Sequence, residues 1–159
     1  MANKKKNTFS YVLLVAFAGW LVFYILRYRV APEIETFEVT FTNIQGDTLS
    51  LGDFEGKTTF VNFYASWCGP CMNEMPDLQR SWSKRDQEQT NFVALTDDSW
   101  QKINAVRQKF GLTFPVYKLT GSLNDQGIYT IPTSFLFSEN GELLQKQTGV
   151  VNPEEWLEK

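Results

Sequence analysis

The chain contains two cysteines, and both stand in one run, Trp67-Cys68-Gly69-Pro70-Cys71. Two residues between them put both sulfurs on one side of a first helical turn, within bonding distance. That spacing suits thiol–disulfide exchange. Exchange needs a thiolate, whereas a free cysteine is mostly protonated at neutral pH. A helix N-terminus offers unpaired N–H groups and about half a positive charge, which lowers a thiol pKa. Cys68 is therefore expected at the helix tip as the exposed attacking thiol. Cys71, one turn in, is expected to be more buried and to resolve the mixed disulfide. Gly69 permits a tight backbone, and Pro70 lacks an N–H that the first turn does not need. Three other readings stay open. A structural disulfide would close so short a loop that it adds little stability. Half a zinc site would need two carboxylates, because no other cysteine and no histidine exists. An inert buried pair is the third.

Composition removes several classes of function. Without histidine, Ser-His-Asp and Cys-His catalysis are excluded, and so is the commonest transition-metal ligand. No metal and no cofactor are expected beyond the Cys68–Cys71 disulfide itself. Lys4, Lys5, Lys6, Arg27 and Arg29 flank an apolar run. After residue 30 the chain carries ten basic and eighteen acidic residues, a formal charge of −8. Nucleic-acid binding needs basic patches that displace counterions, so no nucleic-acid partner is expected.

The elements that must position the cysteines follow from pattern. Residues 9–26 carry no charge, and as a helix at about 1.5 Å per residue they span about 27 Å, enough for a hydrocarbon core. Phe9 and Tyr11 at one end and Phe23, Tyr24 and Tyr28 at the other suit the two interfaces. A cleaved signal peptide is the competing reading, but the run is long for one and Tyr28-Arg29-Val30 is not a small-residue cleavage site. The expected organisation is a cytoplasmic basic tail over 1–8, a transmembrane anchor over 9–26, a linker over 27–33 and a folded domain over 34–159. The domain is expected on the extracytoplasmic side, periplasmic or cell-surface. The flanking charges favour that orientation narrowly, and the chemistry favours it further.

Within the domain, Phe37–Phe41 and Thr48–Leu51 read as short strands around a Gln45-Gly46-Asp47 turn. Thr58–Tyr64 reads as a central strand, and a helix is expected from about Cys68 to Arg85, kinked by Pro76. Asn91–Leu95 is the next strand. Asp97 or Asp98 is expected to cap a helix whose apolar face is Trp100, Ile103, Val106 and Phe110, ended by Gly111. Strands follow at Phe114–Tyr117, Thr133–Phe137 and Glu142–Gln147, then a last helix at 153–157. Strands alternating with helices and a terminal hairpin indicate an α/β fold, a mixed β-sheet flanked by helices.

The stretch Phe60-Val-Asn-Phe-Tyr-Ala-Ser-Trp-Cys-Gly-Pro-Cys71 resembles the active-site segment of the thioredoxin superfamily. Ile131-Pro132-Thr133, then Phe135-Leu-Phe137 and Asn140-Gly141, resembles its cis-proline loop, strand and turn. Cys71-Met-Asn-Glu74-Met-Pro76 and the tethering segment are similar to the TlpA/ResA-like membrane-anchored branch, which contains extracytoplasmic thiol reductases. The resemblance covers residues 34–159 and implies a thioredoxin-like fold. It implies that Pro132 is cis and faces the disulfide, and that the Ile131 backbone pairs with a substrate strand. It implies that Glu74 tunes the cysteines or relays the proton Cys71 must lose, the alternative being a solvated helix glutamate. Trp67 is expected as a hydrophobic rim beside the site or as a structural residue. Asn62 stands where thioredoxin itself has a buried acid, which shifts weight to Glu74; a merely hydrogen-bonded core asparagine is the alternative.

Four functions compete. The first is reduction of disulfide-containing proteins with electrons from a membrane thiol donor. The second is a disulfide oxidase or isomerase. The third is a peroxiredoxin-like antioxidant, disfavoured because the reactive cysteine there usually stands apart from a Cys-x-x-Cys partner. The fourth is a non-enzymatic chaperone or binding module.

Overall fold

In a computed structural model, the backbone is described for residues 3–29 and 39–157, and the side chains for residues 11–25 and 39–157. The chain divides into two units, Met1–Val30 and Ala31–Lys159. The first is one helix, α1 (Asn3–Arg29). All its described side chains are exposed, including Phe17, Trp20 and Phe23. Among the described residues, no helix is long and apolar enough to cross a membrane. The expected linker over 27–33 starts later than its bounds, because α1 continues through Arg29. The side chains of Phe9 and Tyr28, residues 30–33 and residues 37–38 of the expected Phe37–Phe41 strand lie outside the described residues.

The second unit runs β1 (Thr40–Thr42), β2 (Thr48–Ser50), a 3₁₀ turn (Leu51–Phe54), β3 (Thr58–Phe63), α2 (Gly69–Lys84), β4 (Thr90–Thr96), α3 (Trp100–Phe110), β5 (Val116–Leu119), β6 (Thr133–Phe137), β7 (Leu143–Thr148) and α4 (Pro153–Leu157). The sheet order is β2-β1-β5-β4-β3-β6-β7. β3, β4 and β5 are parallel neighbours, and the other pairs are antiparallel. The mixed sheet and the closing β6–β7 hairpin agree with the pattern in the sequence. Both crossovers, β3-α2-β4 and β4-α3-β5, step the same way across the sheet, so right-handed connections place α2 and α3 on one face.

Side-chain alternation along β3 then divides the core. Phe60 and Tyr64 face the helices, where Met75, Leu78, Ile103, Val106 and Trp156 cover them. Val61 and Phe63 face the opposite layer with Phe135, Phe137, Leu123 and Ile128. Burial on both faces explains why β3, β4 and β6 read as near-continuous apolar runs.

Two expectations change. The cap of α3 is Ser99, whose side chain accepts the Lys102 N–H, and not Asp97 or Asp98. Asp98 is drawn into the interior instead. The strand expected at Phe114–Tyr117 begins at Val116, because Phe114 is wholly buried among the helix-face residues and Pro115 has no N–H for a ladder. Gly111 ends α3 in the left-handed region, at φ 63°, as a glycine C-cap should. Pro76 lies inside α2, and the helix continues on both sides of it from Gly69 to Lys84.

Candidate active site

β3 is an interior strand, parallel to β4 on one side and antiparallel to β6 on the other, and the chain leaving its C-terminal end turns through residues 64–67 into α2. Cys68 caps that helix in an extended conformation, and its Sγ accepts the Cys71 N–H at 3.2 Å. Pro70 lies in the first turn, where no helical N–H is needed. Cys68 and Cys71 form a disulfide. A sulfur that already receives a backbone N–H at a helix tip is placed to become a stabilised thiolate once the bond is reduced.

The expected contrast in exposure holds only in rank. Cys71 is wholly buried, and Cys68 retains 5 % exposure, so it is a mostly covered sulfur with a narrow opening rather than an exposed one. Part of the cover is the 131–132 loop. The Ile131–Pro132 peptide is cis, and the Ile131 carbonyl oxygen lies 3.7 Å from Cys68 Sγ. In the reduced protein that oxygen can accept a hydrogen bond from the Cys68 thiol. The loop is held by two hydrogen bonds: Gly149 N–H donates to the Pro132 carbonyl at 2.8 Å, and Thr133 Oγ1 donates to the Thr130 carbonyl at 2.6 Å. Trp67 stands 71 % exposed beside the disulfide, and Gly69 and Pro70 are exposed as well. The part of the lip formed by Trp67, Gly69, Pro70 and Ile131 thus carries no charged side chain.

Behind the disulfide lies a buried polar group. Asn62 on β3 and Ser134 on β6 are register partners. Asn62 Nδ2 donates to Ser134 Oγ at 3.0 Å and to Glu74 Oε1 at 2.9 Å. Glu74 is 1 % exposed, so the solvated-glutamate alternative is wrong. Burial pushes its carboxyl up to about 7, against the Asn62 hydrogen bond and the Val151 backbone N–H, which both favour the charged form. Asn62 is indeed a hydrogen-bonded core residue, and its partner is the acid that it supports. A carboxyl poised near neutrality, one turn beyond Cys71 on the same helix, can take or give a proton at the pH where exchange occurs.

Pattern reading missed Ser134 and gave Asp98 a capping role in place of the one it has. Ser134 follows Thr133 at the polar start of β6, and both are buried ahead of the apolar Phe135-Leu136-Phe137. Asp98 carries a fixed role in the loop: its Oδ2 accepts the Ser66 N–H at 2.6 Å and the Thr96 hydroxyl at 3.3 Å. It thereby anchors the backbone two residues before Cys68. Among the described residues, no group of three His, Cys, Asp or Glu could hold a metal ion.

Comparison with known proteins agrees with this geometry. The family model described as AhpC/TSA family matches residues 30–146. The chain is 28 % identical, over 171 aligned positions, to the thiol-disulfide oxidoreductase ResA of Bacillus cereus (strain ATCC 10987 / NRS 248); the match covers 99 % of this chain and 98 % of that one. The crystal structure of StoA from Bacillus subtilis superposes with a TM-score of 0.62 at 26 % identity, over 80 % of this chain and 96 % of that one. The thioredoxin domain of a thiol-disulfide oxidoreductase from Bacteroides vulgatus superposes with a TM-score of 0.66 at 20 % identity, over 79 % and 97 %. At that identity the likeness concerns the fold alone.

Proposed function

The chain belongs to the AhpC/TSA family, and we propose that within it this protein is a thiol–disulfide oxidoreductase that reduces disulfides of extracytoplasmic proteins. The observation that carries the reading is the Cys68–Cys71 disulfide at the tip of α2, facing the cis Ile131–Pro132 peptide across 3.7 Å. Relatives named thiol-disulfide oxidoreductase along nearly the whole chain support it.

The reaction runs in two displacements. The Cys68 thiolate attacks one sulfur of a substrate disulfide and expels the other as a thiolate, which leaves a mixed disulfide. Cys71 then loses its proton and attacks Cys68 Sγ. The substrate leaves as a dithiol, and the Cys68–Cys71 disulfide re-forms, so two electrons have passed to the substrate. Glu74 serves as the proton acceptor for Cys71 or sets the field in which it ionises. Trp67, Gly69 and Pro70 form the rim on which the substrate rests. Ile131 offers its backbone to an extended substrate segment, and Pro132 keeps that backbone turned toward Cys68. A membrane-bound thiol donor returns the electrons. Both cysteines are committed to one disulfide, which leaves no separate cysteine for peroxide chemistry.

The chain is tethered by its first helix with the domain outside the cytoplasm. The 27 residues of α1, the charge-free run 9–26 and the exposed apolar side chains from Tyr11 to Ile25 support this. The deciding experiment is the reduction potential in glutathione buffers. A value near or below that of thioredoxin, about −270 mV, fits a reductase, and a value near about −120 mV would make the protein an oxidase instead.

A further inference from the structure

One helix breaks the acidic character of the domain, and it lies beside the disulfide. α3 carries Lys102, Arg107 and Lys109 and no acidic residue, although acids outnumber bases eighteen to ten after residue 30. A groove of about 250 Å³ is lined by Ser66, Met72, Lys102, Ala105, Val106 and Lys109. Its lining begins at the redox motif itself. Ser66 stands two residues before Cys68, and Met72 immediately follows Cys71.

Resting on the proposed exchange activity, we infer that this groove seats the substrate segment next to its disulfide and selects segments with acidic residues there. The floor is apolar, from Met72, Ala105 and Val106, and the two lysines stand at its side. Lys102 is 59 % exposed, and its contact with Asp98 is a loose 3.4 Å. Asp98 is already bonded to Ser66 N–H and to Thr96. An ammonium has three donors, so Lys102 retains capacity for a second carboxylate. Lys109 is exposed, with its ammonium 5.0 Å above the Phe110 ring. No acid of α3 competes for either cation. A basic strip on a domain of net negative charge orients an incoming acidic segment toward itself. The gain concentrates at the one place where orientation matters, next to the attacking sulfur.

The test uses the full chain in neutral detergent micelles, reduced and mixed with peptides that carry one disulfide. The peptides differ only at the two residues flanking a cysteine: Asp-Asp, Ser-Ser or Lys-Lys. Each rate is divided by that peptide's rate with dithiothreitol, which removes its intrinsic reactivity. The Asp-Asp peptide should exceed Ser-Ser in second-order rate constant by about tenfold, about threefold per exposed ion pair, with Lys-Lys lowest. About 1 M salt should erase the ranking, since the screening length falls to about 3 Å. Lys109→Gln should lower the Asp-Asp preference about threefold, and Lys102→Gln with Lys109→Gln should bring it to about one. Lys109→Glu sits on an exposed surface away from the Asp98 contact, and it should favour Lys-Lys over the parent's ranking. Equal rates for all three peptides, or a preference that survives in the double variant, would overturn the groove while leaving the exchange activity standing. Failure to reduce even Ser-Ser would overturn both. Self-association that the double variant abolishes, without any peptide preference, would assign the groove to a second copy and overturn the proposal as well.

Discussion

Asn62 Nδ2 donates to Glu74 Oε1 at 2.9 Å between strand and helix, and both side chains are buried. An amide is uncharged and cannot itself take a proton, but it can hold a carboxyl in place and favour its ionised form. The strand residue thus supports the acid, and the acid sits on the helix that carries the cysteines.

That arrangement makes stability depend on pH in a definite sense. The folded carboxyl titrates at about 7, against an ordinary value of 4.5. Between those values the folded protein holds a proton that the unfolded chain releases, so stability falls as pH rises through the window and levels off above it. Glu74→Gln keeps an acceptor for Asn62 and removes the buried charge. The variant should match the parent near pH 4 and exceed it at pH 8, by at most about 3 kcal/mol. Denaturant unfolding at several pH values checks this, and parallel curves for the two proteins would refute it.

The same substitution should act on the chemistry. In the reduced parent, the alkylation rate of Cys71 should show an inflection near pH 7 that Glu74→Gln lacks. Asn62→Ala removes the hydrogen bond that favours the charged form, so its inflection should lie above the parent's. An inflection common to all three proteins would release Glu74 from any role at the site.

Cys68→Ser should abolish turnover of a model disulfide, because the attacking thiolate is gone. Cys71→Ser should still attack but leave mixed disulfides unresolved, visible as adducts that a reducing agent removes. Full activity in both variants would mean that the chemistry lies elsewhere.

Asp98→Ala takes the acceptor from Ser66 N–H and leaves Lys102 without its partner. Loss of a hydrogen bond to a charged group should destabilise the domain by about 1–3 kcal/mol, whereas Asp98→Asn keeps an acceptor and should cost less. Thermal unfolding of the two variants separates them. Equal losses would mean that the charge, and not the hydrogen bond, anchors the loop.

The chain should remain with membranes after alkaline carbonate washing, and a protease added outside the cytoplasmic membrane should reach the domain. A mature N-terminus near residue 30 would identify a cleaved signal instead, and protection from the protease would reverse the orientation.

What the sequence by itself determined is local or periodic. Cys68-Gly69-Pro70-Cys71 after an apolar strand specifies a helix tip with two sulfurs on one side, because turn geometry depends on neighbouring residues alone. Gly111 as a helix stop and Pro153 as a helix start are of the same kind. The mixed sheet followed from the alternation of strands and helices. What only the tertiary structure decided is burial and pairing between distant segments. Glu74 looks like any helix glutamate until β3 and the residues around Val151 cover it, and that burial sets its titration. Asn62 meets Ser134 only because β3 and β6 pair in one particular register. Asp98 had a capping residue's position, yet Ser99 took the cap, while the Asp98 carboxylate accepts the Ser66 N–H where the chain leaves the neighbouring strand β3. Cys68 sits at the tip as its spacing requires, and the loop from a segment more than sixty residues away leaves it only a narrow opening. Such contacts join residues far apart in the chain, and no local propensity encodes the free energy of bringing them together.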